Sequence, residues 1–262
     1  STKIYAAKGR PSDNPLIVHI TNMGALDKIA DIIPEVAYKV ADAYWPGPLT
    51  MIFQKTEEVP YETTGGLDTV AVRMPSDEIA RALIDAGGGY IAAPSANTSG
   101  RPSPTKAEHV EEDLSGKIEM ILDGGAVDIG VESTILDMTV TPPMILRPGA
   151  ITKEMLEACI GEVTVDKAVI KPNQRPKAPG MKYRHYAPKA DLSIVEGEMS
   201  KVISKINELA AEQVKAGHKV GIIGTEESVA NYICGDVKSI GTREDESTIA
   251  VHLFAILREF DT

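Results

Sequence analysis

The sequence predicts an α/β protein in two parts. Through residues 1–160, short runs rich in β-branched residues and bounded by Gly, Pro or Asp alternate with segments of helical periodicity. A stretch dominated by Lys, Pro, Asn, Gln and Gly, from Lys167 to Pro188, then breaks the pattern and reads as a linker. From Asp191 strand and helix alternate again, the arrangement expected of a parallel, doubly wound sheet.

In the first part the expected strands are Leu16–Ile20, Leu49–Gln54, Thr69–Arg73, Tyr90–Ala93, Met120–Asp123, Ser133–Asp137 and Pro143–Arg147. The expected helices are Met23–Ile32, Glu35–Tyr44, Asp77–Ala86, Lys106–Leu114 and Lys153–Ile160. Ile79, Leu83 and Ile84 fall on one helical face, and Pro75–Ser76 precedes them as a start signal. In the last part Leu192–Val195, Lys219–Ile223 and Val237–Ile240 read as strands, and Glu198–Ala216, Glu227–Cys234 and Ser247–Phe260 as helices. Val202, Ile206 and Leu209 share one face of the first of these helices.

Composition narrows the function. Of 262 residues 43% are hydrophobic and 25% charged, a soluble globular balance. Net charge is −11, which argues against an extended nucleic-acid footprint while leaving room for a local basic pocket. The cysteines, Cys159 and Cys234, are far apart, so no zinc ribbon or CxxC redox pair is indicated. Sparse cysteine fits a reducing cytoplasm. No apolar run approaches the ~20 residues of a membrane-spanning helix. No two of His19, His109, His185, His218 and His252 have metal-ligand spacing, so no metal site is expected. Phosphate loops of the GxxxxGK[ST] and GxGxxG types are absent, as are HExxH and GxSxG.

Several segments carry candidate chemistry. Lys8 and Arg10 flank Gly9 ahead of Asn14 and the strand ending near His19, a pattern that suits polyphosphate binding or a solvated basic turn. The strand Thr69–Arg73 delivers an arginine at its end, where α/β proteins place ligand contacts. The loop from Ala92 to Thr105 combines Ser95, Asn97, Thr98, Ser99 and Ser103 with small residues and prolines. It reads as an anion-wrapping loop or an ordinary Ser/Pro loop. The turn Gly124–Gly125 leads towards Ser133 and Thr134, and Arg147 ends another strand before Pro148–Gly149.

In this order, KGRPSDNPLIVHI, WPGPLT, GLDTVAVRMP, APSANTSGRPSPT, GVESTILD, LRPGAIT and PGMKYRHYAP resemble the threonylcarbamoyl-AMP synthase family, in the form that adds a C-terminal domain to a YrdC-like catalytic one. The likeness covers nearly all of residues 3–190; beyond that it rests on the βα alternation. It implies a twisted, mixed-sheet catalytic domain over residues 1–165, a linker over 166–190 that folds across the active site, and a Rossmann-like domain over 191–262. It implies a nucleotidyltransferase that uses ATP, magnesium, L-threonine and bicarbonate or carbon dioxide to make threonylcarbamoyl-AMP and pyrophosphate. A downstream threonylcarbamoyl transferase complex then acts on tRNA.

By position the resemblance assigns Lys8, Arg10 and Arg73 to catalysis. Lys8, Arg10, Asn14, Thr69, Ser95, Asn97, Ser103, Arg147, Tyr183 and Tyr186 fall to ATP, and His19, Arg73, Ala93 and Ser133 to threonine. His185 belongs to the covering linker. The family's first segment, a strand ending in PTET(V/T)YGL with a threonine-binding Thr, has no counterpart here, and the final βα alternation stops after three strands, so a chain shortened at both ends is expected. The other reading is an RNA-binding module with a basic cavity; net charge and the lack of interleaved aromatics weigh against it and against direct tRNA binding.

Overall fold

The computed structural model describes residues 2–166 and 188–261. Contacts divide them into two compact units: residues 2–100, 106–125 and 132–166, and residues 101–105, 126–131 and 188–261. Two short stretches of the first part of the chain therefore belong with the second unit.

The first unit runs α1 (Thr2–Lys8), β1 (Ile17–His19), α2 (Met23–Ile29), α3 (Glu35–Tyr44), β2 (Leu49–Gln54), α4 (Tyr61–Thr64), β3 (Thr69–Arg73), α5 (Glu78–Ala86), β4 (Ile91–Ala93), α6 (Ala107–Leu114), β5 (Thr134–Asp137), β6 (Met144–Arg147), α7 (Lys153–Ile160) and β7 (Thr164–Val165). Its strands form one mixed sheet in the order β4-β1-β3-β2-β5-β6-β7. β1 and β3, β2 and β5, and β6 and β7 pair in parallel, and β4–β1, β3–β2 and β5–β6 are antiparallel.

Side chains alternate across a strand, so the sheet sorts its residues by parity. Val18, Val70, Val72, Met51, Phe53, Leu136 and Ile145 face the larger apolar cluster, with Leu26 and Ile29 of α2, Val40 of α3 and Leu156 of α7. Ile17, Ala71, Ile52 and Ile135 face the other way, in a much smaller cluster. One face is thus filled by helices, and the other carries only a narrow apolar patch. Phe53 is fully buried on the helix-covered side. Phe53→Ala is expected to destabilise the protein by about 3–5 kcal/mol, read as a lower midpoint in chemical denaturation; a loss under about 1 kcal/mol would contradict this core assignment.

The second unit contains α8 (Met199–Lys215), β8 (Gly221–Gly224), α9 (Glu226–Val229), β9 (Asp236–Ser239) and α10 (Glu246–Glu259). β8 and β9 pair in parallel, as the alternation predicts. Gly130 lies against the carbonyls of Ala250 and Val251 so closely that no Cβ fits there. The buried Arg258 donates from Nε and Nη2 to the Pro102 carbonyl at 3.1 and 2.7 Å. These contacts tie the stretches 101–105 and 126–131 to α10.

Several local expectations fail, and β7 (Thr164–Val165) forms where no strand is expected. Met120–Asp123 and Leu192–Val195 are not strands. Met120 is 73% exposed and Ile194 80%, so these apolar runs have neither a ladder partner nor a core to enter. Conversely, α1 and α4 form where no helix is expected. α4 is a single turn entered from Pro60 and ended by Gly65 in the left-handed region at φ 63°. Among the described residues no helix is long and apolar enough to cross a membrane.

Candidate active site

The site residues are set by strand register. His19 pairs with Arg73, Arg73 with Thr50, Thr50 with Ile135, and Ile135 with Arg147. A single row therefore crosses five strands, β1-β3-β2-β5-β6, on the face opposite the helix-covered core. Arg147 joins the row because the β5–β6 register shifts at Ile135/Leu136. That bulge brings Arg147 opposite Ile135, whereas strict alternation from Ile145 would turn it to the other face. Ala93 lies one row back on the same face, paired with Ile17.

The polar groups of the row bond to one another. The Ser133 and Thr50 hydroxyls are 2.7 Å apart. Arg147 donates from Nε and Nη2 to the Ser133 carbonyl at 3.1 and 2.8 Å, and from Nη2 to the Ser133 hydroxyl at 3.1 Å. Gly149 makes this approach possible, since a Cβ there would collide with the backbone of Glu132–Thr134. Thr50 closes the WPGPLT segment without being assigned a role from the sequence; it is fully buried, and its place beside Arg73 comes from strand pairing.

Arg73 donates from Nε to the Gly47 carbonyl at 3.1 Å, its one hydrogen bond among the described residues, so its two Nη groups remain available to a planar anion. Burial first, and Arg147 second, lower the pKa of Arg73, and an arginine stays charged all the same. Burial, and then Arg73, push His19 down to about 4, so its ring is neutral at pH 7. Its Nδ1 is buried without a partner among the described residues. Two guanidiniums and a neutral imidazole on one face of the sheet make a patch suited to a carboxylate.

A second cluster surrounds Lys8. α1 closes in a Schellman arrangement: Gly9 is left-handed at φ 62°, Arg10 N donates to Tyr5 O at 3.0 Å and Gly9 N to Ala6 O at 3.3 Å. The glycine between the two cations is therefore a helix stop. It sends Lys8 and Arg10 in different directions. Lys8 is 4% exposed. Its Nζ donates to the Ser95 carbonyl at 2.5 Å, to the Asn97 carbonyl, and to Asn97 Oδ1 at 3.2 Å. Ser95 Oγ also donates to Asn97 Oδ1, at 2.5 Å. Arg10 binds the carbonyls of Asn14 and Pro15 at 3.3 and 2.8 Å. Asn14 is 1% exposed, yet neither its amide nitrogen nor its oxygen has a partner among the described residues. A buried orphan amide of this kind calls for an explanation, and a bound ligand supplies one.

His19, Arg73, Ser133 and Arg147 are thus brought together, as are Lys8, Ser95 and Asn97, and Arg10 with Asn14. One expected residue stands apart from the row. Thr69 shares the face of Arg73 but sits at the other end of β3, about 13 Å away by strand rise. Ser103 lies in the stretch 101–105 that groups with the second unit. Tyr183, His185 and Tyr186 lie outside the described residues. A separate hollow of about 460 Å³, lined by Met23, Tyr38, Trp45 and Met74 among others, contains none of the expected residues. Among the described residues no three of His, Cys, Asp and Glu gather as metal ligands.

A threonylcarbamoyl-AMP synthase of Pyrococcus abyssi is 52% identical to this chain over 260 residues, covering 99% of the chain and 75% of the relative. The chain belongs to the threonylcarbamoyl-AMP synthase family. The enzyme of the same name from Bacillus subtilis is 50% identical over 99% of the chain and 74% of its own length. The family signature described as "Telomere recombination" matches residues 1–149, and that of the threonylcarbamoyl-AMP synthase C-terminal domain matches residues 151–262. The crystal structure of P. abyssi Sua5 complexed with L-threonine superposes with a TM-score of 0.92 at 51% identity, covering 99% of this chain and 75% of that one. The chain therefore shares its fold with a relative whose crystal structure contains L-threonine.

Proposed function

We propose that this enzyme condenses L-threonine, bicarbonate or carbon dioxide, and ATP into threonylcarbamoyl-AMP and pyrophosphate, the first step of threonylcarbamoyladenosine modification of tRNA. The observation that carries the reading is the in-register row His19–Arg73–Thr50–Ile135–Arg147, with Ser133 bonded into it. It offers a carboxylate site beside a second arginine for a nucleotide. Residues 1–165 supply the catalytic domain, 166–190 the linker and 191–262 the C-terminal domain. The product passes to a cytoplasmic transferase complex that acts on tRNA.

In this reading the Nη pair of Arg73 grips the threonine carboxylate, and the neutral ring of His19, Ala93 and Ser133 shape the rest of that pocket. The free amine attacks carbon dioxide, loses a proton, and becomes a carbamate. A carbamate oxygen then attacks the α-phosphorus in line, and the bond to the bridging oxygen of the β-phosphate breaks. Lys8, Arg10 and Arg147 stabilise the charge that moves onto pyrophosphate, while Asn14, Ser95 and Asn97 hold the nucleotide. Catalysis is then positioning and charge neutralisation, with no covalent enzyme intermediate. Magnesium enters as part of the MgATP substrate.

The test is pyrophosphate release by the purified chain. Release is expected only when threonine and bicarbonate are both present with ATP. Release that ignores threonine, or RNA binding without any turnover, would refute the reading.

A further inference from the structure

We infer that Asp113, at the end of α6, is a positioning residue for the loop that cradles Lys8; the inference rests on the ATP-using reading above. Asp113 is 4% exposed. A buried carboxylate costs stability unless it is well partnered. Its place in the last turn of a helix adds a further cost, because the negative end of the helix dipole repels it. A residue placed so unfavourably for its own helix serves something outside that helix.

What it serves is the loop after β4. Asp113 Oδ2 accepts from Thr98 N at 2.9 Å, and its carbonyl accepts from Thr98 Oγ1 at 3.2 Å and from Lys117 Nζ at 2.9 Å. Thr98 immediately follows Asn97, whose carbonyl and side-chain oxygen both take Lys8 Nζ. On the other side, Ser99 N donates to the Lys8 carbonyl at 2.9 Å. The carboxylate thus fixes the middle of a segment that binds Lys8 through both its head group and its backbone. The charged groups acting on Lys8 are Arg10, just beyond α1, and Asp113 from α6. Arg10 disfavours the ammonium and Asp113 favours it. Asp113 therefore partly offsets the downward push that burial first, and Arg10 second, exert on the Lys8 ammonium.

Two variants separate geometry from charge. Asp113→Asn keeps an oxygen for Thr98 N and removes the charge; Asp113→Ala removes both. The first readout is the titration of the Lys8 side chain by carbon NMR with labelled lysine, assigned through Lys8→Arg and measured without nucleotide. The second is calorimetric affinity for ATP and, separately, for threonine. In Asp113→Asn the Lys8 midpoint is expected to move about 1 pH unit lower. ATP binding near neutral pH should weaken several-fold with threonine binding unchanged. Asp113→Ala should weaken ATP binding about tenfold or more. An unmoved Lys8 titration in Asp113→Asn, or equal weakening of both ligands, overturns the inference. If Asp113→Ala fails to fold, Asp113→Asn decides alone. If the wild-type chain binds no ATP, the ATP reading falls while the Lys8 titration still decides the role of Asp113.

Discussion

Replacing Arg73 by Ala is expected to raise the threonine requirement about a hundredfold or more and to leave the ATP requirement nearly unchanged. The size follows from removing one partner of a buried, charge-assisted pair, which costs about 2–5 kcal/mol; about 2.7 kcal/mol is already a hundredfold. The direction follows from geometry. Among the described residues Arg73 makes one hydrogen bond to protein, from Nε to Gly47, so truncation chiefly removes the grip of its Nη pair on the substrate. The fold should survive, because Arg147 is a like charge whose repulsion the substitution relieves. Arg73→Lys tests the fork itself: it keeps the charge, loses the planar pair of donors, and should recover only part of the loss. Pyrophosphate release is measured with threonine varied at saturating ATP, and with ATP varied at saturating threonine. Equal rises in both requirements would remove Arg73 from the amino-acid site.

The sequence revealed the strands more clearly than their chemistry. Leu49–Gln54 and Thr69–Arg73 match the structure at both ends, because β-branched and aromatic residues over a helix-covered sheet leave little ambiguity. The row of site residues is different. Nothing local links His19, Arg73, Thr50 and Arg147, which are far apart in sequence and meet only through register, and for Arg147 only through a bulge. Thr50 shows this most sharply, since a threonine inside an apolar strand gives no sign of its hydroxyl's partner. Lys8-Gly9-Arg10 was legible as a cationic motif and opaque as structure. Its glycine completes a helix stop, which is recognisable only once α1 is known to precede it. Met120–Asp123 and Leu192–Val195 failed for the opposite reason, because apolar runs read as buried strands whether or not a partner exists to bury them. The family resemblance reached the site residues first; the register then gave His19, Arg73 and Arg147 a physical reason to meet, and hydrogen bonds to Thr50 and Arg147 joined Ser133 to them.

Lys8→Met is expected to cut ATP-dependent turnover by about 10²- to 10³-fold, the usual cost of removing one preorganised group that meets developing charge. The same residue predicts two opposite pH trends. Burial first, and Arg10 second, lower the Lys8 pKa from 10.5 to about 7, with Asp113 opposing them. The ammonium is present below about pH 7 and is lost above it, so kcat/KM for ATP in the wild-type chain should fall as pH rises through that value. Stability moves the other way. Between about pH 7 and pH 10.5 the unfolded chain holds a proton on Lys8 that the folded chain has released, so stability rises with pH across that window. The slope from this one group is at most about 1.4 kcal/mol per pH unit. Lys8→Met has no such group, and other titrations are shared by both proteins. The difference in unfolding free energy, wild type minus variant, should therefore climb from pH 7 to pH 9 in urea melts, whatever its value at pH 7. Parallel stability curves would show that Lys8 remains an ordinary charged lysine in the folded protein. The proposed loss of its charge near neutrality would then fail together with the activity trend.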